Sequence, residues 1–143
     1  MPKKKKNADI YVEVGSMAVK KSDLDVKTNK LPSVMTKATT EFFKKQSGFT
    51  IKKPSGKPKS GFKVSGNVVS LKKETKGKQE LIMCTVSFAL SELPRDKLVP
   101  GKLEGIGGVS VGKDIQGDAE FAVATATKEA AKMAAKQIEH ATK

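Results

Sequence analysis

A chain of 143 residues that is 37% hydrophobic and 30% charged is long enough to bury one sizeable core and too apolar to be disordered. No apolar run approaches the roughly 20 residues of a membrane-spanning helix, and the start MPKKKKNAD lacks the apolar stretch of a signal peptide. A single cysteine, Cys84, and a single histidine, His140, exclude an internal disulfide and a Cys/His zinc site.

The formal net charge of +13 is unevenly spread. Residues 1 to 78 carry 20 lysines against 6 acidic residues, a net +14, whereas residues 79 to 143 come to −1. Such asymmetry points to an anionic partner. Only Arg95 among the 28 basic residues is arginine. Base edges are read by arginine's planar fork, while lysine meets phosphate as a flexible point charge. The charge therefore predicts phosphate contact without strong sequence preference.

In chain order, residues 1 to 8 read as a flexible basic tail and 9 to 143 as a single domain. Ile10, Val12 and Val14 alternate with Tyr11 and Glu13 as in a half-buried strand, with Gly15 as its bend. Residues 22 to 30 are polar. Leu31-Pro32-Ser33 reads as a helix entry, and Val34, Met35, Ala38, Phe42 and Phe43 recur at helical spacing up to a stop at Gly48. Phe49 and Ile51 open a strand that runs into IKKPSGKPKSGF, residues 51 to 62. Within it Gly56-Lys57-Pro58 resembles the core of an AT-hook, a minor-groove module, but lysine stands where that module has arginine. The stretch reads as a basic loop between strands.

From Phe62 the chain turns strongly to β. FKVSGNVVSL, the polar turn KKETKGKQ and ELIMCTVSFAL make a long antiparallel hairpin, in which Ile82, Cys84, Val86, Phe88 and Leu90 share one face. After the proline-bounded loop SELPRDKLVPG, the segment KLEGIGGVSVG forms another strand, where Gly107 and Gly108 mark a bulge or a close backbone approach. Asp118 reads as the cap of a final helix lined by Val123, Ala126, Ala130, Ala134 and Ile138. The order β-α-β-β-β-β-α predicts an α+β fold: a mostly antiparallel sheet of about five strands with two helices on one face.

Three stretches invite a chemical reading. Residues 107 to 114, GGVSVGKD, nearly spell a phosphate-binding P-loop, but Asp114 stands where that loop has the Ser or Thr that holds Mg²⁺, so a glycine-bent strand is preferred. TKEAAKMAAKQIEH, residues 127 to 140, is similar to the final helix of double-stranded RNA-binding domains, and the order of one helix, three strands and one helix from residue 33 onward agrees with it. That resemblance implies phosphate contact by Lys128, Lys132 and Lys136; the alternative is a solvated helix face supported by Glu129. Asp23 and Asp25 could in principle form a catalytic carboxylate pair, yet they lie in a polar stretch that favours exposure. No enzyme, cofactor or metal is expected.

The candidate polyanion-binding residues are Lys3, Lys4, Lys5, Lys6, Lys52, Lys53, Lys57, Lys59, Lys72, Lys73, Lys76 and Lys78. The hairpin holds the last four apart from the group at 52 to 59 by roughly 30 Å, at about 3.3 Å per strand residue. The sequence thus predicts a non-catalytic binding protein for a polyanion, nucleic acid first, located in the cytoplasm or elsewhere inside a cell, in the nucleus of a eukaryote or in a virion. The alternative is a structural subunit of a phage particle or other assembly, with homo-oligomers among its forms. A module like the double-stranded RNA-binding domain is the third reading.

Overall fold

The computed structural model describes residues 10–52, 61–93 and 95–142. The elements are β1 (Ile10–Val19), a 3-10 turn (Thr28–Lys30), α1 (Leu31–Lys45), β2 (Phe49–Thr50), β3 (Gly61–Lys76), β4 (Gln79–Leu93), β5 (Lys97–Ser110) and α2 (Ile115–Ala141). Their order is the one the periodicity predicts. The fold is α+β, with one curled sheet in the spatial order β2-β1-β3-β4-β5. The proposed tail, residues 1 to 8, lies outside the described residues.

The sheet is mixed. β3 with β4 and β4 with β5 are antiparallel and account for most of the paired residues, but β1 runs parallel to both β2 and β3. The parallel pairings arise because α1 returns the chain to the starting end of β1, as parallel neighbours require. The β3–β4 hairpin closes through Gly77 and Lys78, with Gly77 at a φ of 63° that suits a two-residue turn.

Three boundaries differ from expectation. The stretch 72 to 79, read as a polar turn, is strand except at Gly77 and Lys78. The stretch around Pro94 is mostly strand rather than loop: β4 continues to Leu93 and β5 already starts at Lys97. Asp96 in that connection adopts a φ of 56°, which aspartate tolerates better than bulkier residues. The last helix begins at Ile115, with Asp114 and not Asp118 at its N-cap position. Asp118 instead turns back, its carboxylate accepting the Gly112 N–H at 2.6 Å. Gln116 ties the helix start to the polar stretch before α1, accepting from the Lys27 N–H at 2.7 Å and donating to its carbonyl at 3.3 Å.

One face of the sheet is the core. Val64, Gly66 and Val68 on β3 stand opposite Leu90, Phe88 and Val86 on β4. β3 then carries one extra residue, Val69, so the inward parity changes and Leu71 takes over. The buried residues of both helices, among them Leu31, Met35 and Phe43 of α1 and Val123, Ala126, Ala130 and Ile138 of α2, join this face in one cluster. The buried Thr39 and Thr127 hydroxyls are satisfied within their helices: Thr39 donates to the Met35 carbonyl at 2.8 Å and Thr127 to that of Val123 at 2.7 Å.

Cys84 sits in this core with no exposed surface, and burial pushes its thiol from 9.0 up to about 12. The folded chain therefore keeps the thiol protonated at pH values where the unfolded chain ionises it. This contribution is complete below about pH 9 and falls by about 1.4 kcal/mol per pH unit until about pH 12. The Tyr11 hydroxyl, raised by burial and then by the charge of Glu13, acts in the same direction. Urea midpoints measured at pH 8 and pH 10.5 should show a loss of stability that Cys84→Val reduces. An equal loss in the variant would mean that the thiol is not the titrating group.

Candidate functional site

The lysines singled out from the sequence do not converge. Lys72, Lys73, Lys76 and Lys78 are exposed at the tip of the β3–β4 hairpin, where Lys72 pairs with Glu74 at 3.3 Å. Lys52 is exposed just beyond β2, next to the opposite end of β3. Lys3, Lys4, Lys5, Lys6, Lys53, Lys57 and Lys59 lie outside the described residues. On α2, Lys128, Lys132 and Lys136 are exposed, and Lys132 pairs with Glu129 at 2.9 Å.

The near P-loop is no phosphate cradle. Gly107 and Gly108 lie within β5, and the space where a Gly107 side chain would stand is filled by α2, with the Ala126 N at 2.5 Å and the Ala122 O at 2.7 Å from a built Cβ. A phosphate cannot enter a gap occupied by helix backbone. Asp23 and Asp25 are both exposed, as their polar setting suggests. Among the described residues no three metal-ligating side chains cluster. Two open hollows flank Phe42 between the helices. One of about 320 Å³ is bordered by Gln46, Lys132, Lys136 and Glu139, the other of about 200 Å³ by Glu41, Lys45 and Lys128. Their lysines and carboxylates alternate around an apolar floor without converging on one point.

The feature with the clearest chemical capacity is the outer edge of β5. In the sheet order β5 stands last, so one side of this 14-residue strand is unpaired among the described residues. Its first half carries what guards an edge: Lys97, Pro100, Gly101 with a φ of 136°, and Lys102. Its second half, Leu103 to Ser110, has no proline and one charge, Glu104. The Val111 N–H donates to the Glu80 carbonyl at 2.9 Å, which marks the odd-numbered residues as those bonded to β4. By alternation, the main-chain N–H and C=O groups of Glu104, Ile106, Gly108 and Ser110 point away from the sheet.

Apolar side chains flank this bare edge on both faces. Ile106, 61% exposed, projects from the face away from the helices. On the other face α2 lies directly on the strand. A Cβ built at Gly105 would collide with the Ala126 carbonyl oxygen and the Ala130 nitrogen, and one at Gly107 would meet the Thr125 Cβ at 2.9 Å. Phe121 is one helical turn before Thr125 on the same flank and is 59% exposed. An unpaired ladder between Ile106 and Phe121 can hydrogen-bond an added strand and cover its side chains from both sides. The sequence hinted at this only through the predicted close approach at Gly107. That β5 is an edge depends on strand order, which periodicity does not encode.

No protein-family model matches the chain, and no curated protein matches it in sequence. Solved structures resemble it in fold. The hypothetical protein CT253 from Chlamydia trachomatis is 8% identical with a TM-score of 0.63, the likeness covering 92% of this chain and 96% of that one. A minor lipoprotein from Acinetobacter baumannii is 9% identical, with a TM-score of 0.47 over 88% of this chain and 93% of that one. The PelC dodecamer of Paraburkholderia phytofirmans is 12% identical, with a TM-score of 0.46 over 85% of this chain and 88% of that one.

These likenesses correct the reading from charge. Solved structures of this fold include lipoproteins, and none of those named is a nucleic-acid-binding protein, so the nucleic-acid and polyanion reading drawn from charge is withdrawn. The cytoplasmic location expected from the sequence is withdrawn with it. Among the described residues, Lys52 and the lysines at 72 to 78 sit at opposite ends of β3, as the hairpin reading expected, and the lysines of α2 are interspersed with Glu129 and Glu139. The likeness to double-stranded RNA-binding domains fails as well, because β1 is inserted between β2 and β3 and the sheet is not that family's three-stranded one. No helix among the described residues is long and apolar enough to cross a membrane.

Proposed function

We propose that this chain is a non-catalytic assembly module whose working surface is the outer edge of β5, where it extends its sheet with a strand from a partner. The observation that carries this reading is the unguarded run from Leu103 to Ser110, bare along its main chain and bordered by the exposed Ile106 and Phe121. A long edge strand left open is a template for pairing unless charge, proline or a bulge blunts it. The hydrogen bonds to the added strand supply affinity, and the flanking side chains supply selectivity.

The test uses the isotope-labelled chain and a synthetic ten-residue peptide of alternating valine and threonine. Addition of the peptide should shift and protect the amides of Glu104, Ile106, Gly108 and Ser110 and leave the hairpin tip around Lys76 unchanged. Ile106→Pro is the decisive variant. Proline at an edge position whose N–H points outward is tolerated by the fold but removes a donor that the added strand needs. The variant should melt within a few degrees of the parent and lose the response. Shifts confined to the Phe42 hollows, or an undiminished response in Ile106→Pro, would refute the edge as the working surface.

A further inference from the structure

We infer that the cleft between α1 and α2 is a second interaction surface, separate from the β5 edge, and that it takes an amphipathic helix of a partner protein. That helix carries two apolar side chains one turn apart and acidic residues beside them. Three observations lead to it.

The first is shape. Phe42 stands half-buried between the two hollows, held by the edge-on ring of Phe43 at 5.1 Å. The hollows, of about 320 Å³ and about 200 Å³, share Phe42 and Gln46, and the larger has the small Ala135 of α2 in its lining. Pockets for small molecules bury roughly 70–90% of the ligand, whereas both of these are open to solvent. A rod laid along the cleft closes both at once. Side chains at i and i+4 of a helix, about 5–6 Å apart at Cβ, drop one on each side of the Phe42 ring.

The second is main-chain hydrogen bonding. The walls of the cleft are helices, whose N–H and C=O groups are bonded internally except in the last turn of α1. An extended segment pressed into the cleft finds few main-chain partners. A helix brings its own, so it fits here where a strand does not.

The third is charge. The two linings hold Lys45, Lys128, Lys132 and Lys136 against Glu41 and Glu139. Glu129 holds Lys132 at 2.9 Å, while Lys45, Lys128 and Lys136 make no ion pair among the described residues. The lysines of α2 follow one another at one-turn spacing and meet at no single point. That arrangement suits acidic residues spread along a helix rather than one compact anion. Glutamates beside the apolar pair complement the rim, which sets partner choice more than tightness.

Fluorescence anisotropy with the full chain and three labelled peptides of about sixteen residues, long enough to hold a helix in water, tests this. The first carries phenylalanine and leucine at i and i+4 with glutamates flanking them, the second has alanine at both apolar positions, and the third has lysine for each glutamate. The first should bind about tenfold more tightly than either of the others. In the isotope-labelled chain it should shift the amides of Phe42, Gln46 and Ala135 and leave those of Ile106 and Gly108 unchanged. Phe42→Ala should abolish the advantage of the first peptide over the second. The double variant Lys128→Glu, Lys136→Glu changes only exposed side chains, so it should melt with the parent and prefer the third peptide to the first. Equal binding of the first two peptides would show attraction by charge alone and overturn the inference. So would an unchanged order of preference in the double variant. Cleft amides that answer to dodecanoate but not to the first peptide would overturn it too, by making the cleft a small-molecule site.

Discussion

Gly105→Ala should lower the stability of this chain by about 3 kcal/mol, the upper end of what overpacking costs. The position has an ordinary backbone conformation, so the effect is one of space alone. The added methyl would meet the Ala126 carbonyl oxygen, the Ala130 nitrogen and the Glu129 Cβ. Two of these are helix main chain and cannot move aside as a flexible side chain can. α2 would have to lift from the sheet, giving up part of the burial of Ala122, Ala126 and Ala130, each fully buried. Gly108→Ala, only three residues away, is the control. Its Cβ would press on the Met83 Sδ at 2.5 Å, the mobile end of a side chain on the open face, and should cost less than about 1 kcal/mol. Urea midpoints of the two variants check the contrast. Similar midpoints would mean that the helix does not rest on β5.

Phe43→Ala should cost about 4 kcal/mol, as large-to-small changes of buried aromatics do. Phe43 has no exposed surface and links two parts of the fold: its ring stands edge-on to Phe42 at 5.1 Å and to Phe49 of β2 at 5.3 Å. In a core with so few aromatics, no neighbour is large enough to refill the space. At roughly 3–5 °C per kcal/mol for a chain of this size, the thermal midpoint should fall by about 12–20 °C. Phe42→Ala, at a half-buried ring beside the two hollows, should lose less than half as much. Calorimetry that ranked the two equally would place the hinge of α1 against the sheet somewhere other than Phe43.

Much of the architecture could be read in the residues, and the reason is local. Alternation along 82 to 90 needs only the two-residue period of a strand with one buried face, and it reappears as the buried row Ile82, Cys84, Val86, Phe88 and Leu90. Helical spacing placed α1 because a ridge of Met35, Ala38 and Phe43 must face the sheet. Boundaries were harder. Asp118 looked like a cap because caps are known by residue type, but the carboxylate was engaged by Gly112 instead. The Pro94 region looked like a loop because turn residues cluster there, whereas the hairpin ladder extended almost through it.

The candidate site was far less legible. Lysine density drew attention to residues 52 to 78, and the hairpin reading already set the group at 72 to 78 apart from the group at 52 to 59, of which only Lys52 lies among the described residues. The glycines of β5 offered the better sign. Read locally, they suggested a phosphate loop or a bulge. In the fold they are the places where a helix backbone touches a strand.

From sequence alone came the order of the elements, the inward row of the hairpin and the alanine face of α2, because periodicity and side-chain size are properties of neighbouring residues. Tertiary structure alone decided that β1 inserts parallel between β2 and β3, that β5 is left at the edge, and that Ile106 and Phe121 border it from opposite faces. These depend on which distant segments meet. A strand's pattern records that one face is buried, but its hydrogen-bonding edges lie in the plane of the sheet, where side-chain periodicity carries no information.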